Sequence, residues 1–181
     1  RRADAHMDYV ISQFADPDSP LFFYTSEEDP VIVTRRHEQT DDVTPSSNAV
    51  IAHNLLVLGT LFNHPNYRDH AQIMLAAMRD KFMEQPAWHA VWGRLALRFL
   101  SPNHEVAITG PEYKKLRKEF DAHYLPHCYF SGAESESTLP LLEGRFNEES
   151  TIFVCQDFAC QLPVHSVKDA LAQINAHEAL Q

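Results

Sequence analysis

The segment from Pro45 to Phe62 constrains the fold more than any other part of the chain. Thr44 and Pro45 form a helix-start pattern, in which a capping hydroxyl precedes a proline at the first helical position. The apolar residues of the predicted helix lie on more than one of its faces: Val50, Ile51, Leu55, Leu56, Val57, Leu58, Leu61 and Phe62. Such a helix must be covered on nearly all sides. We therefore predict a multi-helix assembly with this helix at its centre.

Three further helices are predicted in the first hundred residues. One ends near Phe14, one begins near Tyr67 with apolar residues spaced by three and four, and one covers Ala87 to Phe99. Two short β-prone runs, residues 21–25 and 31–34, are joined by a polar segment that ends in a proline, a pattern typical of a β-hairpin.

The pattern changes after Ser101-Pro102-Asn103. From there, strands are predicted at residues 105–109, 127–130 and 151–155, and helices at 111–122 and 167–176. We predict a helical-hairpin portion over residues 1–101, and a β-α-β-β-α portion over residues 102–181 that packs on it.

Glycine content and charge exclude several classes of function. The five glycines are at positions 59, 93, 110, 132 and 144, and the closest pair is twelve residues apart. The glycine fingerprints of dinucleotide-binding folds, P-loops and α/β-hydrolases are therefore absent. Lys and Arg number 15 against 25 Asp and Glu, a net charge of −10 that argues against a nucleic-acid partner. No apolar run is long enough to span a membrane, so we expect no membrane association. We also expect no cofactor.

The cysteines predict a reducing compartment. Cys128, Cys155 and Cys160 are an odd number in a chain of this length, which favours a cytoplasmic location over a disulfide scaffold. The spacing of Cys155 and Cys160 fits neither the redox C-x-x-C motif nor most zinc sites. Buried free thiols and no metal are the expectation, although a redox or metal role for this pair stays open.

The polar segment before the central helix carries a family signature. Residues 35–48 read RRHEQTDDVTPSSN and contain the pattern R-x-x-E-x-x-D-x-x-x-P-S-x-N. This pattern resembles one in the long thioredoxin-domain-containing proteins of the spermatogenesis-associated family. Residues 139–145 (LPLLEGR) and 154–164 (VCQDFACQLPV) look like the closing motifs of that family. Arg36 and Ser47 depart from the proline and glycine that are common there.

The resemblance implies a mainly α fold, the C-terminal part of an (α/α)6 toroid of the six-hairpin glycosidase type, similar in shape to N-acylglucosamine 2-epimerases. The short β-hairpin and a small β-α-β element near the C-terminus would be additions to it. The N-terminal thioredoxin-like domain and the early hairpins of the family would lie outside this chain. Any activity, of a sugar isomerase, epimerase or glycosidase kind, would belong to the full-length protein, and this portion alone is expected to be inactive.

In such a toroid the loops before inner helices line the ligand cavity. Glu38 and Asp41 are the candidate catalytic residues, because carboxyl groups donate and accept protons in sugar chemistry. The candidate binding residues for a carbohydrate-like molecule are Arg35, Ser46, Asn48 and His53.

Two alternatives stay open. The same polar residues could form a structural knot in which Arg35 pairs with a carboxylate, Ser46 satisfies amides at the helix start and His53 is a hydrogen-bonded core residue. The chain would then be a non-catalytic client-binding or interaction module that serves the attached thioredoxin-like domain.

Overall fold

The computed structural model describes residues 2–30 and 33–178 of the chain. Within them, the helices and strands in chain order are α1 (Arg2–Phe14), α2 (Ser47–Leu61), α3 (Pro65–Glu84), α4 (Ala90–Leu100), β1 (His104–Thr109), α5 (Tyr113–Phe120), β2 (Cys128–Ala133), β3 (Thr151–Gln156), β4 (Ala159–Cys160) and α6 (Val167–Glu178). A short 3-10 helix, Pro86–Trp88, precedes α4.

The chain divides into two compact units. The first comprises Arg1–Gly59 and His64–Phe99, and the second comprises Thr60–Asn63 and Leu100–Gln181. Each has its own apolar core.

The first unit is helical, and the four helices predicted for it are confirmed as α1 to α4. Among the described residues of α2, Val50 and Asn54 alone are exposed, as expected for a helix covered on nearly all sides. The core side chains of this unit include Met7, Phe22, Leu55, Met74, Met78, Trp92 and Leu95. The helix start differs from the prediction, because α2 begins at Ser47 and the hydroxyl of Ser46 accepts a hydrogen bond from the Ala49 amide at 3.2 Å.

The predicted hairpin at residues 21–34 is wrong for its first strand. Phe22 makes a single isolated bridge to Ala15, and both its backbone N–H and its C=O bond to the side chain of Asn48. A side-chain amide thus takes the place of a pairing strand. Val31 and Ile32, the start of the second predicted strand, lie outside the described residues.

The second unit is built on a four-stranded mixed sheet with the strand order β2-β1-β3-β4. β1 is parallel to β2, with α5 as the crossover between them, and antiparallel to β3. All six residues of β1 are buried, because apolar side chains cover both faces of the sheet. One face packs in a cluster with residues of α5 and α6, and the other packs on Leu141 and Leu142.

The expectation of a mainly α toroid is therefore wrong. Residues 104–109 and 151–156 form adjacent strands of one mixed sheet, which makes the second unit an α/β element. The physical reason is that every residue of β1 is buried. A strand inside a sheet that is covered on both faces can bury all of its residues, whereas an amphipathic toroid helix buries only one of its sides.

Candidate functional site

Asn48 lies at the centre of the polar segment and is fully buried. Its Oδ1 accepts from the Phe22 N–H at 2.7 Å, and its Nδ2 donates to the C=O groups of Phe22 at 2.8 Å and Glu38 at 2.9 Å. One side chain therefore ties two stretches of irregular backbone to the first turn of α2.

The carboxylates of Glu38 and Asp41 accept hydrogen bonds from backbone amides at helix starts. Glu38 Oε2 accepts from the Ser47 N–H at 2.8 Å, and Asp41 Oδ1 accepts from the Ser46 N–H at 3.0 Å. Asp41 Oδ2 accepts from the Val91 N–H at 2.8 Å, in the first turn of α4. Helix starts carry unsatisfied N–H groups and partial positive charge, so these carboxylates stabilise both helices.

Arg35 and His53 also bond to the backbone. Arg35 Nη2 donates to the C=O groups of Gln13 at 3.0 Å and Thr25 at 2.7 Å, and its guanidinium carbon lies 4.1 Å from the centre of the Phe23 ring. His53 Nε2 lies 3.0 Å from the Val91 C=O, and burial is the main cause that lowers the pKa of His53. The neutral imidazole donates from Nε2 to that carbonyl.

Four of the sequence-predicted site residues therefore meet at the start of α2: Glu38, Asp41, Ser46 and Asn48. The bonds of Arg35 run to other backbone, and His53 meets α4. In these contacts all six side chains bond to main-chain groups, an arrangement that fastens loops to helices. Catalytic and substrate-binding roles for them stay predictions.

A pocket of about 300 Å³ lies elsewhere in the first unit, between α1 and the start of α3. Its lining residues are Asp4, Asp8, His64, Pro65, Asn66 and Tyr67. Asp4 and Asp8 are four residues apart on α1 and so share one face of it. The sequence alone does not reveal this pocket, because the spacing of Asp4 and Asp8 is a weak local signal and the Tyr67–Asp8 hydrogen bond spans 59 positions of sequence.

The pocket lining contains a hydrogen-bond donor, the Tyr67 hydroxyl, and hydrogen-bond acceptors, the carboxylates of Asp4 and Asp8. The Tyr67 hydroxyl donates to Asp8 Oδ1 at 2.8 Å. Burial, followed by that hydrogen bond and the charges of Asp8 and Asp4, raises the pKa of Tyr67 to about 12, so the hydroxyl stays protonated at neutral pH. Asp4 Oδ1 is buried and accepts no hydrogen bond, and His64 Nε2 lies 3.7 Å from it.

The expectation of free thiols at Cys155 and Cys160 is wrong. The two residues face each other across the pairing of β3 with β4 and form a disulfide. The prediction failed because it did not include β4, the two-residue strand that brings the sulfurs together. Cys128 forms no disulfide and is half-buried. Among the described residues, no group of three or more His, Cys, Asp or Glu side chains is placed to hold a metal ion.

The chain is similar to curated proteins named spermatogenesis-associated protein 20. The chain is 25% identical to human spermatogenesis-associated protein 20 over 142 residues, which cover 72% of this chain and 18% of that protein. The rat and mouse proteins of the same name are 24% and 23% identical over the same share. The chain thus spans about a fifth of the length of the curated relatives it matches.

No family model matches the chain, and no solved structure matches it. At 23–25% identity, these matches support the resemblance of the chain to the spermatogenesis-associated family. Within the described part of the chain, none of the helices combines the length and the apolarity that a membrane crossing requires.

Proposed function

We propose that the first unit binds a neutral, carbohydrate-like small molecule in the pocket between α1 and α3. The observation that carries the proposal is Asp4 Oδ1, a buried carboxylate oxygen in the lining of the pocket that accepts no hydrogen bond. A buried acceptor without a donor is costly, and a ligand hydroxyl would satisfy it.

The other lining groups favour a polyhydroxylated ligand. Carboxylates and imidazoles accept hydrogen bonds from hydroxyl groups, and the rings of His64 and Tyr67, whose centres are 5.3 Å apart, give the pocket an apolar surface. The two carboxylates disfavour an anionic ligand such as a sugar phosphate. The volume of about 300 Å³ is at the lower end for small-molecule sites, which suits a single sugar ring.

Saturation-transfer NMR on the purified full chain tests this proposal. Glucose, galactose and mannose are the neutral probes, and glucose 6-phosphate is the charged comparison. We expect at least one neutral sugar to bind and the phosphate to bind more weakly.

The substitution Asp4→Asn should weaken that binding about tenfold, since it replaces one charged hydrogen bond. Asp69→Asn is the matched control, because it removes the same charge at an exposed position on α3. It should leave binding unchanged. No binding by any neutral sugar, or equal loss in both variants, would contradict the proposal.

A second function is favoured by a different observation. The candidate catalytic carboxylates, Glu38 and Asp41, bond to backbone amides, as a structural polar segment requires. We propose on this ground that the chain serves as a non-catalytic interaction module, with an attached thioredoxin-like domain and its clients as partners.

Co-purification from cells tests the interaction module, with the longer protein compared with a form that lacks this chain. The complete protein should recover thiol-bearing proteins reproducibly, and the truncated form should not. The combined change Glu38→Gln and Asp41→Asn should reduce that recovery only in proportion to the fraction of the first unit that it unfolds. Equal recovery with and without the chain would overturn this second proposal.

A further inference from the structure

The hairpin formed by β3 and β4 presents the two sulfurs of its disulfide unequally. Cys155 is 1% exposed, whereas Cys160 is exposed at the edge of the sheet. A reductant arriving from solvent therefore meets Cys160 before it meets the buried Cys155. The turn between the strands, Asp157 and Phe158, has positive φ at both residues, 48° and 64°. This is the conformation of a two-residue hairpin turn, and it holds the two cysteines opposite each other.

Arg145 lies against the buried sulfur. Its Nη1 is 3.1 Å from Cys155 Sγ, and its guanidinium carbon is 5.4 Å from the centre of the Phe153 ring. Burial lowers the pKa of Arg145 while the charge of Glu105 raises it, and a guanidinium remains protonated at neutral pH. A positive charge beside a cysteine stabilises its thiolate.

We propose that Cys155 and Cys160 form a thiol–disulfide exchange site whose reaction partner is a dithiol in the surrounding solution. The exposed Cys160 is the sulfur that is attacked, and the buried Cys155 is the sulfur that leaves. Arg145 is a positioning residue that favours this direction, because a thiol with a lower pKa leaves faster.

The exchange balances in two steps. A thiolate of the dithiol attacks Cys160 Sγ, the Cys155–Cys160 bond breaks, and the electron pair remains on Cys155 as a thiolate beside Arg145. In the mixed disulfide, the first sulfur of the partner is bonded to Cys160. The second thiolate of the partner then attacks that first sulfur and releases Cys160 as a thiolate, which takes a proton from water. The chain is reduced by two electrons and the partner dithiol is oxidised to its disulfide.

The first test locates the attacked sulfur. The full chain, carrying Cys128→Ser to remove the third thiol, is incubated with oxidised glutathione to complete the disulfide and then treated briefly with reduced glutathione. Acid quenching, alkylation and peptide mass spectrometry show which cysteine carries glutathione. We expect it on Cys160. Glutathione mainly on Cys155, or two free thiols after the oxidation step, would overturn the proposal.

The second test concerns Arg145. With dithiothreitol as the reductant, Arg145→Gln should slow reduction of the disulfide about threefold to tenfold, since the leaving thiolate loses its adjacent charge. Arg145→Lys should restore most of the rate, which a purely structural role of the guanidinium would not predict. Arg117→Gln, at a half-buried arginine of α5 that pairs with Asp121, is the matched control. Equal rates in the wild-type chain and Arg145→Gln would overturn the role assigned to Arg145.

Discussion

Replacing Asn48 by alanine should destabilise the first unit by about 3–5 kcal/mol. The change removes three hydrogen bonds, and the two partner groups on Phe22 belong to a residue with no exposed surface. Each buried group left without a partner costs about 1–3 kcal/mol. The third partner, the C=O of Glu38, belongs to a half-buried residue and adds less because water can reach it. Asn48→Asp should cost more, since a carboxylate would then face two carbonyl oxygens.

Urea unfolding followed by tryptophan fluorescence measures this loss. Both tryptophans, Trp88 and Trp92, lie in the first unit, so the signal reports on that unit. Asn54→Ala, at an exposed position on the same helix, is the matched control and should change stability by less than about 0.5 kcal/mol. A loss below about 1 kcal/mol for Asn48→Ala would refute the assignment of Asn48 as the residue that fastens these loops.

Three further predictions follow from the described contacts. Asp41→Asn should lower the unfolding free energy by about 1–2 kcal/mol, because it weakens two bonds at helix starts, whereas exposed Asp42→Asn should be nearly neutral in the same assay. The pKa of His53 is lowered on folding, so the unfolded chain binds more protons near pH 6.5 and below, and stability should fall as the pH drops below that value. His53→Gln should flatten this part of the pH profile, and an unchanged slope would contradict the account. Gly110→Ala should cost about 2–4 kcal/mol, since Gly110 has φ of +104° and its Cβ would lie 2.7 Å from Ser150 Cα. Gly144→Ala, with φ of +68° and open space around it, should cost only about 1 kcal/mol. Both glycines lie in the second unit, so urea unfolding of these two variants is followed by circular dichroism and not by tryptophan fluorescence.

The helices of the first unit were predictable because local signals mark them. The apolar run of α2 and the spacing of apolar residues in α3 are set within each segment, and prolines lie near the breaks. The ends were less predictable. α2 begins after Ser46 and not at Pro45, because carboxylates of the polar segment directly before the helix accept hydrogen bonds from the amides of Ser46 and Ser47.

Strand pairing over long distances was not predictable in the same way. The residue pattern indicated β-α-β-β-α order after residue 102, but the toroid was inferred from the resemblance and is corrected by the mixed sheet. β4 has two residues, too few for any periodic signal, so the disulfide that depends on it was missed as well. The predicted hairpin partner of Phe22 was replaced by Asn48, 26 positions away.

The candidate sites show the same limit. Residue types identified a polar segment with sugar-site chemistry, yet their bonds run to main-chain groups that no sequence pattern shows. The pocket lined by Asp4 and Tyr67 depends on the approach of α1 to the start of α3. Only tertiary structure brings these residues together.

The most direct test of the account is a map of where a neutral sugar binds. Two-dimensional NMR of the isotope-labelled chain, titrated with the best-binding sugar, reports which amides shift. We predict amide shifts at Asp4, Asp8, His64, Asn66 and Tyr67, and no shifts at residues 38–48. Shifts centred on residues 38–48 would contradict it, because the polar segment would then be the ligand site and not the fastening of the fold.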